Sequence, residues 1–366
     1  VFRLLLRSLL FSLLLSLSLS AQTAPAKAPT PPSQEWVKRS NAIATEVLTI
    51  GARVNPEAAR QSGIEGFDDK ITDFGPDLEQ RQDKAFVDGV ALVKEKLATE
   101  KDPLVREDLQ IMLTRLQQQR KGTELNRKYF LPYVNTAQFM FSSLQGLLDE
   151  QVKPEKRQLA LVRLRKYAGM EPGTKPTVEL IEERIDRKLA DPGLLAPSKL
   201  QFDKNLQTSR LSIDGIESLF KKFGITGYEE PYAALKKQLT DYDGYVREKI
   251  VPKARPEFRL PQEVYQFQLE QFGIDIPQEQ LLKLAHRAYD EIRAEMQTVA
   301  ARVAKEHKLP SSDYHDVIRE LKQDQLVGDA ILPHYQQRLK EIEGIIRAKN
   351  IVSLPERPAR IRIGTP

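Results

Sequence analysis

Three features of the sequence predict an all-α fold: long stretches with apolar residues at three- and four-residue spacing, prolines and capping residues that punctuate them, and almost no strand-like alternation. The expected architecture is a multi-helical array with one long spanning helix at about 277–307. That helix is the clearest element. Pro277 sits at its start, and Leu281, Leu284, Ala285, Ala288, Ile292, Met296, Val299 and Val303 trace one stripe, expected to face the core. A helix of about thirty residues is about 45 Å long, enough to span a domain.

The rest of this C-terminal region follows the same logic. Leu309-Pro310 stops the long helix, and Ser311, Ser312 or Asp313 can cap the next, which carries Val317, Ile318 and Leu321. Ile331–Ala348 is the last helix, with Leu332, Tyr335, Leu339, Ile342 and Ile346 expected inside. Residues 351–366 form an extended tail, where Arg360-Ile361-Arg362-Ile363 alternates as a strand would.

Residues 1–21, VFRLLLRSLLFSLLLSLSLSA, read as a secretory signal: two arginines, an apolar core, then small residues with a cut expected after Ser20 or Ala21. The apolar run is shorter than the roughly 20 residues that cross a bilayer, so no stable membrane span is expected. Residues 22–34 form a Pro/Ala-rich disordered tether, too poor in apolar residues to fold. Residues 35–350 form the helical domain, with 191–212 as the candidate division.

Within that domain, Glu35–Thr49 is a helix with Trp36, Ile43, Val47 and Leu48 as candidate core positions, and Asn55-Pro56-Glu57 starts another. SGIEGFDDKITDFGPD reads as an ordered loop. Its Asp68, Asp69, Asp73 and Asp77 lack the spacing of a helix-loop-helix calcium site, which favours a solvated loop. Helices follow at Leu78–Glu100 and Pro103–Lys121, separated by Asp102-Pro103. Tyr129–Leu148 is the most apolar segment outside the leader, and Pro132 breaks it. Its aromatic residues Tyr129, Phe130, Tyr133, Phe139 and Phe141 are candidates to line a peptide-sized groove, with burial in the core as the plainer alternative. Pro154–Ala168 and Thr177–Leu189 flank the turn GMEPGTKP, and then come Ile213–Phe223 and Glu230–Ile250. Arg157, Arg163, Arg165 and Lys166 form a basic stripe expected on a solvated face.

Composition limits the function classes. The formal charge of +5 falls by two when a leader containing Arg3 and Arg7 is removed, too small a bias to indicate nucleic acid as a partner. There is no cysteine, which rules out disulfides and thiolate chemistry. Export without cysteines fits a bacterial envelope or exterior, hence a periplasmic or extracellular location. No G-x-S-x-G elbow is present, and GITG at 224–227 lacks the context of a phosphate loop. Of the four histidines, His286 has an acid four residues on, Asp290, on one helix face. Two ligands fall short of the three a zinc site requires, so His286 and Asp290 are only weak metal candidates and no cofactor is expected from this chain.

The segments FRLPQEVYQFQLEQFG, EQLLKLAHRAYDEIRAEMQTVAARVA, DVIRELKQDQ and YQQRLKEIEGII, leading into LPERPARIRI, resemble the bacterial domain of unknown function 885. PEAARQSGIEGFDDKITDFGP resembles that family's opening segment. The resemblance implies a zincin-like metallopeptidase, often exported, whose zinc is held by a histidine-glutamate motif downstream of the helical region. No H-E-x-x-H occurs here, so no ligand carries over. The chain is therefore expected to be the helical scaffold and substrate-cleft portion of such a protein, inactive alone, with a peptide as substrate and the catalytic region outside it. The alternative is an independent helical binding module of the envelope for a peptide or cell-wall ligand.

Overall fold

The computed structural model describes residues 35–361. The expected signal at 1–21, the tether at 22–34 and the end of the tail at 362–366 lie outside the described residues. The fold is all-α. The only strand-like pairings among the described residues are two isolated bridges, Phe130 with Leu195 and Ser198 with Arg255.

The first layer is built from α1 (Glu35–Ala52), the short α2 (Pro56–Ala59), α3 (Leu78–Thr99) and α4 (Pro103–Tyr129). Ile43, Val93, Val105 and Leu109 form its core, with Trp36 and Val47 packed beside them. Leu48, expected inside, is exposed at the mouth of a cavity that it lines with Phe86 of α3 and Leu116 of α4. Asp102 ends one helix and starts the next, and its carboxylate accepts a hydrogen bond from the Leu104 amide at 3.1 Å. α4 runs eight residues past the expected stop at Lys121. Gly122 weakens a free helix here by about 1 kcal/mol, but the Phe267 ring fills the space a Cβ would take, 3.1 Å away, so packing outweighs propensity.

The main core lies in the second layer. Its helices are α5 (Thr136–Leu147), α6 (Pro154–Arg157), α7 (Leu159–Tyr167), α8 (Thr177–Leu189), α9 (Lys199–Lys222) and α10 (Glu229–Tyr245). A π-helical turn extends α10 to Ile250 and keeps Val246 and Ile250 buried. α5 carries Met140, Phe141, Leu144 and Leu147 into the centre, where they meet Leu164, Ile181, Phe202, Ile216, Phe220, Leu235 and Leu239. α9 begins at Lys199, well before the expected Ile213. The Ser198 hydroxyl accepts from the Gln201 amide, and buried Phe202, Ser209 and Ser212 give that polar stretch an inward face that apolar periodicity does not show.

α11 (Gln262–Gln271) docks on α4 through Val264 and Phe267. α12 (Gln278–His307) then follows where expected, with Pro277 as its N-cap, and α13 (Tyr314–Leu321) folds back on its end through Ala300, Ala304 and Val317. Asp313 caps α13 by accepting from the His315 amide. α14 (Ile331–Ala348) closes the described helices. The expected stripes are not buried. On α12, Ile292 is 58% exposed and Met296 and Val299 are also open, while Leu281, Leu284 and Val303 are half-buried. On α14, Tyr335 and Ile342 are exposed, and no residue is buried. Periodicity marks which face of a helix is apolar; whether another element covers that face is a separate question.

α5 and α9 meet at Gly215, where a Cβ would stand 2.7 Å from Cε2 of the Phe141 ring. Gly215→Ala is expected to destabilise the protein by about 1–3 kcal/mol despite the better helix propensity of alanine. Urea unfolding of the two proteins checks this.

Candidate functional site

A cavity of about 760 Å³ lies between the α1–α2 turn, α5 and α7. Its walls include Asn55, Gln61, Phe139, Ser142, Gln145 and Gln151. Glu57 and Arg163 also line it. This size suits a small ligand or a short stretch of peptide.

Glu57 sits in the first turn of α2, where Pro56 fixes the backbone. Its carboxylate accepts from the Thr72 amide at 2.9 Å, the Thr72 hydroxyl at 2.6 Å and the Tyr167 hydroxyl at 2.9 Å. Tyr167, fully buried near the end of α7, is 2.7 Å from the Ser143 hydroxyl on α5. Arg163, one turn earlier on α7, donates to Ser143 Oγ at 3.0 Å and to the Phe67 carbonyl at 3.0 Å. The Tyr167 proton points to Glu57, so Ser143 donates to Tyr167 and accepts from Arg163. A one-way chain of hydrogen bonds thus joins a buried guanidinium to a carboxylate through two hydroxyls.

Burial, reinforced by the Glu57 carboxylate, pushes the Tyr167 phenol well above its ordinary value of 10.0. Tyr167 therefore keeps its proton, which it donates to Glu57, and the Ser143 proton is already committed to Tyr167. The arrangement lacks the nucleophile–base pair that acyl transfer needs. It does supply a rigid polar floor, with amide side chains above it that can both donate to and accept from a peptide backbone.

Arg163 corrects the sequence reading of a solvated basic stripe: it is 2% exposed, and its Nε is buried with no hydrogen-bond partner. Ala160, Leu164 and Tyr167 lie at helical spacing on the same face and are all fully buried. That spacing, with an arginine inside an apolar stripe, is the signal that could have singled out Arg163. Its neighbours follow other paths: Arg165 bonds Glu171, and Lys166 donates to the Asp69 carbonyl.

The five candidate groove aromatics do not share one wall. Phe139 alone lines the cavity, packing edge-on against Phe74 and Tyr167. Phe141 is buried in the main core, and Tyr133 packs on Phe202 and accepts from Asn205. Tyr129 donates to Glu263, and Phe130 lines a different cavity beside α11. Alternation of faces along the segment separates them.

His286 and Asp290 are both exposed on α12, with Asp290 near Arg293 at 3.9 Å. Among the described residues no three His, Asp or Glu side chains gather in a group that could hold a metal ion. The loop aspartates are engaged with cations: Asp68 with Arg60, Asp69 with Lys166, and Asp73 and Asp77 with Arg81. The zinc that the family resemblance implies therefore finds no matching ligand set among the described side chains.

A family model described as a bacterial protein of unknown function (DUF885) matches residues 56–365. The chain belongs to this DUF885 family. The matched region opens at Pro56, so it takes in Glu57 and both of the helices, α5 and α7, that build the polar floor. No curated protein matches the chain. No described helix is long and apolar enough to cross a membrane.

The buried phenols set an alkaline limit on stability. Tyr167 and Tyr242 both have folded-state pKa values raised above 10.0 by burial. Both stay protonated in the fold while the unfolded chain ionises, so their contribution is complete below pH 10 and is lost as pH rises beyond it. The urea midpoint is expected to fall between pH 9 and pH 11 (about one unit either side of the ordinary phenol value), less steeply in Tyr167→Phe. At pH 7 the same variant is expected to lose about 1–3 kcal/mol, because Glu57 and Ser143 each lose a buried partner.

Proposed function

We propose that this chain is the helical scaffold and substrate-cleft portion of an exported, metallopeptidase-like protein, and that it does not hydrolyse peptides by itself. The observation that carries the reading is the apolar face of α12 and α14. Tyr289, Ile292, Val299, Ile342 and Ile345 stand in solvent, each more than 40% exposed. Large apolar side chains left in solvent along one helix face mark an interaction site. In this reading a zinc-bearing catalytic region packs on that face, and the cavity above Glu57 and Arg163 holds part of a peptide. Export rests on the signal-like character of residues 1–21.

A second reading, an independent envelope module that binds a peptide or cell-wall ligand, is favoured by the closed main core. That core runs from Phe74 to Ile250 and needs no further element to complete it.

Two measurements on the purified chain decide between them. Peptide mixtures incubated with the chain and added zinc are expected to remain intact; cleavage that a chelator stops and zinc restores would overturn the scaffold reading. An environment-sensitive apolar dye is expected to bind the wild type strongly and the double variant Ile292→Lys, Ile345→Lys weakly. Both changes are at exposed positions, so stability should shift by no more than about 0.5 kcal/mol per site. A wild type that leaves the dye unbound would favour the self-contained module.

A further inference from the structure

The cavity at Glu57 does not stand alone. Asn55 and Ala58 line it and also line a neighbouring pocket of about 310 Å³ between the end of α1, α3 and α4. The two differ in chemistry. Carboxylates, arginines and carboxamides line the Glu57 cavity, whereas no charged side chain lines the pocket beside it. Val47, Leu48, Val54, Phe86 and Leu116 give that pocket apolar walls, and none of the five is fully buried. Sites for whole small ligands run from about 300 to 1,000 Å³, so this one has room for a single large side chain. Gly51 also lines it, and a Cβ there would meet no heavy atom within 4 Å.

Asn55 stands at the junction of the two cavities. Its exposed carboxamide makes no capping bond to α2. It carries both a donor and an acceptor, the pair that one peptide group needs. On its other side the pocket shares Gln82, Phe86, Gln119 and Thr123 with the cavity beside α11. An apolar pocket with carboxamide-lined space on both sides suits one residue within a chain. A free apolar molecule is better served by a site that encloses it.

We propose that this pocket is a side-chain subsite of the cleft. An extended peptide passes over Ala58 with a large uncharged residue, leucine or phenylalanine, in the pocket. Its backbone bonds the Asn55 carboxamide and continues over the Glu57 floor. The proposal rests on the cleft reading above and adds the class of residue that the cleft selects.

Methyl NMR of the leucine- and valine-labelled chain tests it. The probes are Gly-Gly-X-Gly-Gly peptides with acetyl and amide ends, X being leucine, phenylalanine, lysine or glutamate. Leu48 and Leu116 report the pocket, and Val152 reports the Glu57 cavity. The leucine and phenylalanine peptides are expected to shift all three saturably, and the lysine and glutamate peptides to bind about tenfold more weakly, because the pocket offers a charge no partner. Gly51→Leu fills the pocket from a position with open space, and leucine is the better helix former. It is expected to weaken the leucine peptide by about tenfold or more without lowering the melting temperature. Asn55→Ala is expected to weaken it by about fivefold, the loss of one hydrogen bond. Shifts at Val152 without shifts at Leu48 and Leu116, equal binding of the charged peptides, or unchanged binding by Gly51→Leu would overturn the subsite and leave the cleft reading standing. Acetyl-leucine amide binding as tightly as the leucine peptide would mark a pocket for a small apolar molecule and also overturn it. No shift at any of the three methyl groups would overturn the cleft reading and the subsite together.

Discussion

The guanidinium of Arg163 is a charge buried in the body of the protein, and much of the architecture around the cavity follows from keeping it there. An ion removed from water costs several kcal/mol unless hydrogen bonds replace its hydration. Here the replacements come from far apart in sequence: the Phe67 carbonyl in the loop before α3, and Ser143 on α5. Ser143 passes the interaction through Tyr167 to Glu57, which in turn binds both polar groups of Thr72. Satisfying one arginine thus ties α2, the 62–77 loop, α5 and α7 into one rigid corner. The cavity lies directly above that corner.

The molecule has two kinds of helix surface. Between Phe74 and Ile250 a large apolar core closes, with aromatic residues such as Phe202, Phe220 and Tyr242 buried in edge-to-face or stacked contacts, although single apolar residues such as Leu200 and Leu211 stay exposed. From α12 onward the helices are equally amphipathic, yet burial is confined to the α12–α13 contact at Ala300, Ala304 and Val317. Small residues mark that contact because the two helices approach closely there. The larger side chains on the same helices point to solvent. An apolar stripe with no cover carries an unfavourable hydration free energy, and the scaffold reading takes this as the place for further protein.

Much of the fold was legible in the chain. Asp102-Pro103, Pro154 and Pro277 mark helix starts by chemistry that is local and needs no tertiary information, and of the three candidate caps Ser311, Ser312 and Asp313 the structure uses Asp313. Thr177–Leu189 was expected and found with the same ends. The misses share a cause. α4 passes through Gly122 because Phe267, far along the chain, packs there, and α9 begins in a polar stretch because Phe202 reaches a core built by other helices. The candidate site was much less legible. Of its side chains the sequence points to Phe139 as a groove candidate, and it places Arg163 in solvent, since a charged residue is normally outside unless a distant partner meets it.

The amino-acid sequence alone determined the helical class, the position and length of α12, the capped helix starts and the lack of cysteine chemistry, because each depends on residues within a turn or two of one another. Tertiary structure decided which apolar faces are covered, why Arg163 is inside, and how Glu57, Ser143 and Tyr167 come to share one hydrogen-bonded line. Those outcomes join residues as far apart as Glu57 and Tyr167, and a local pattern carries no information about what will lie against it.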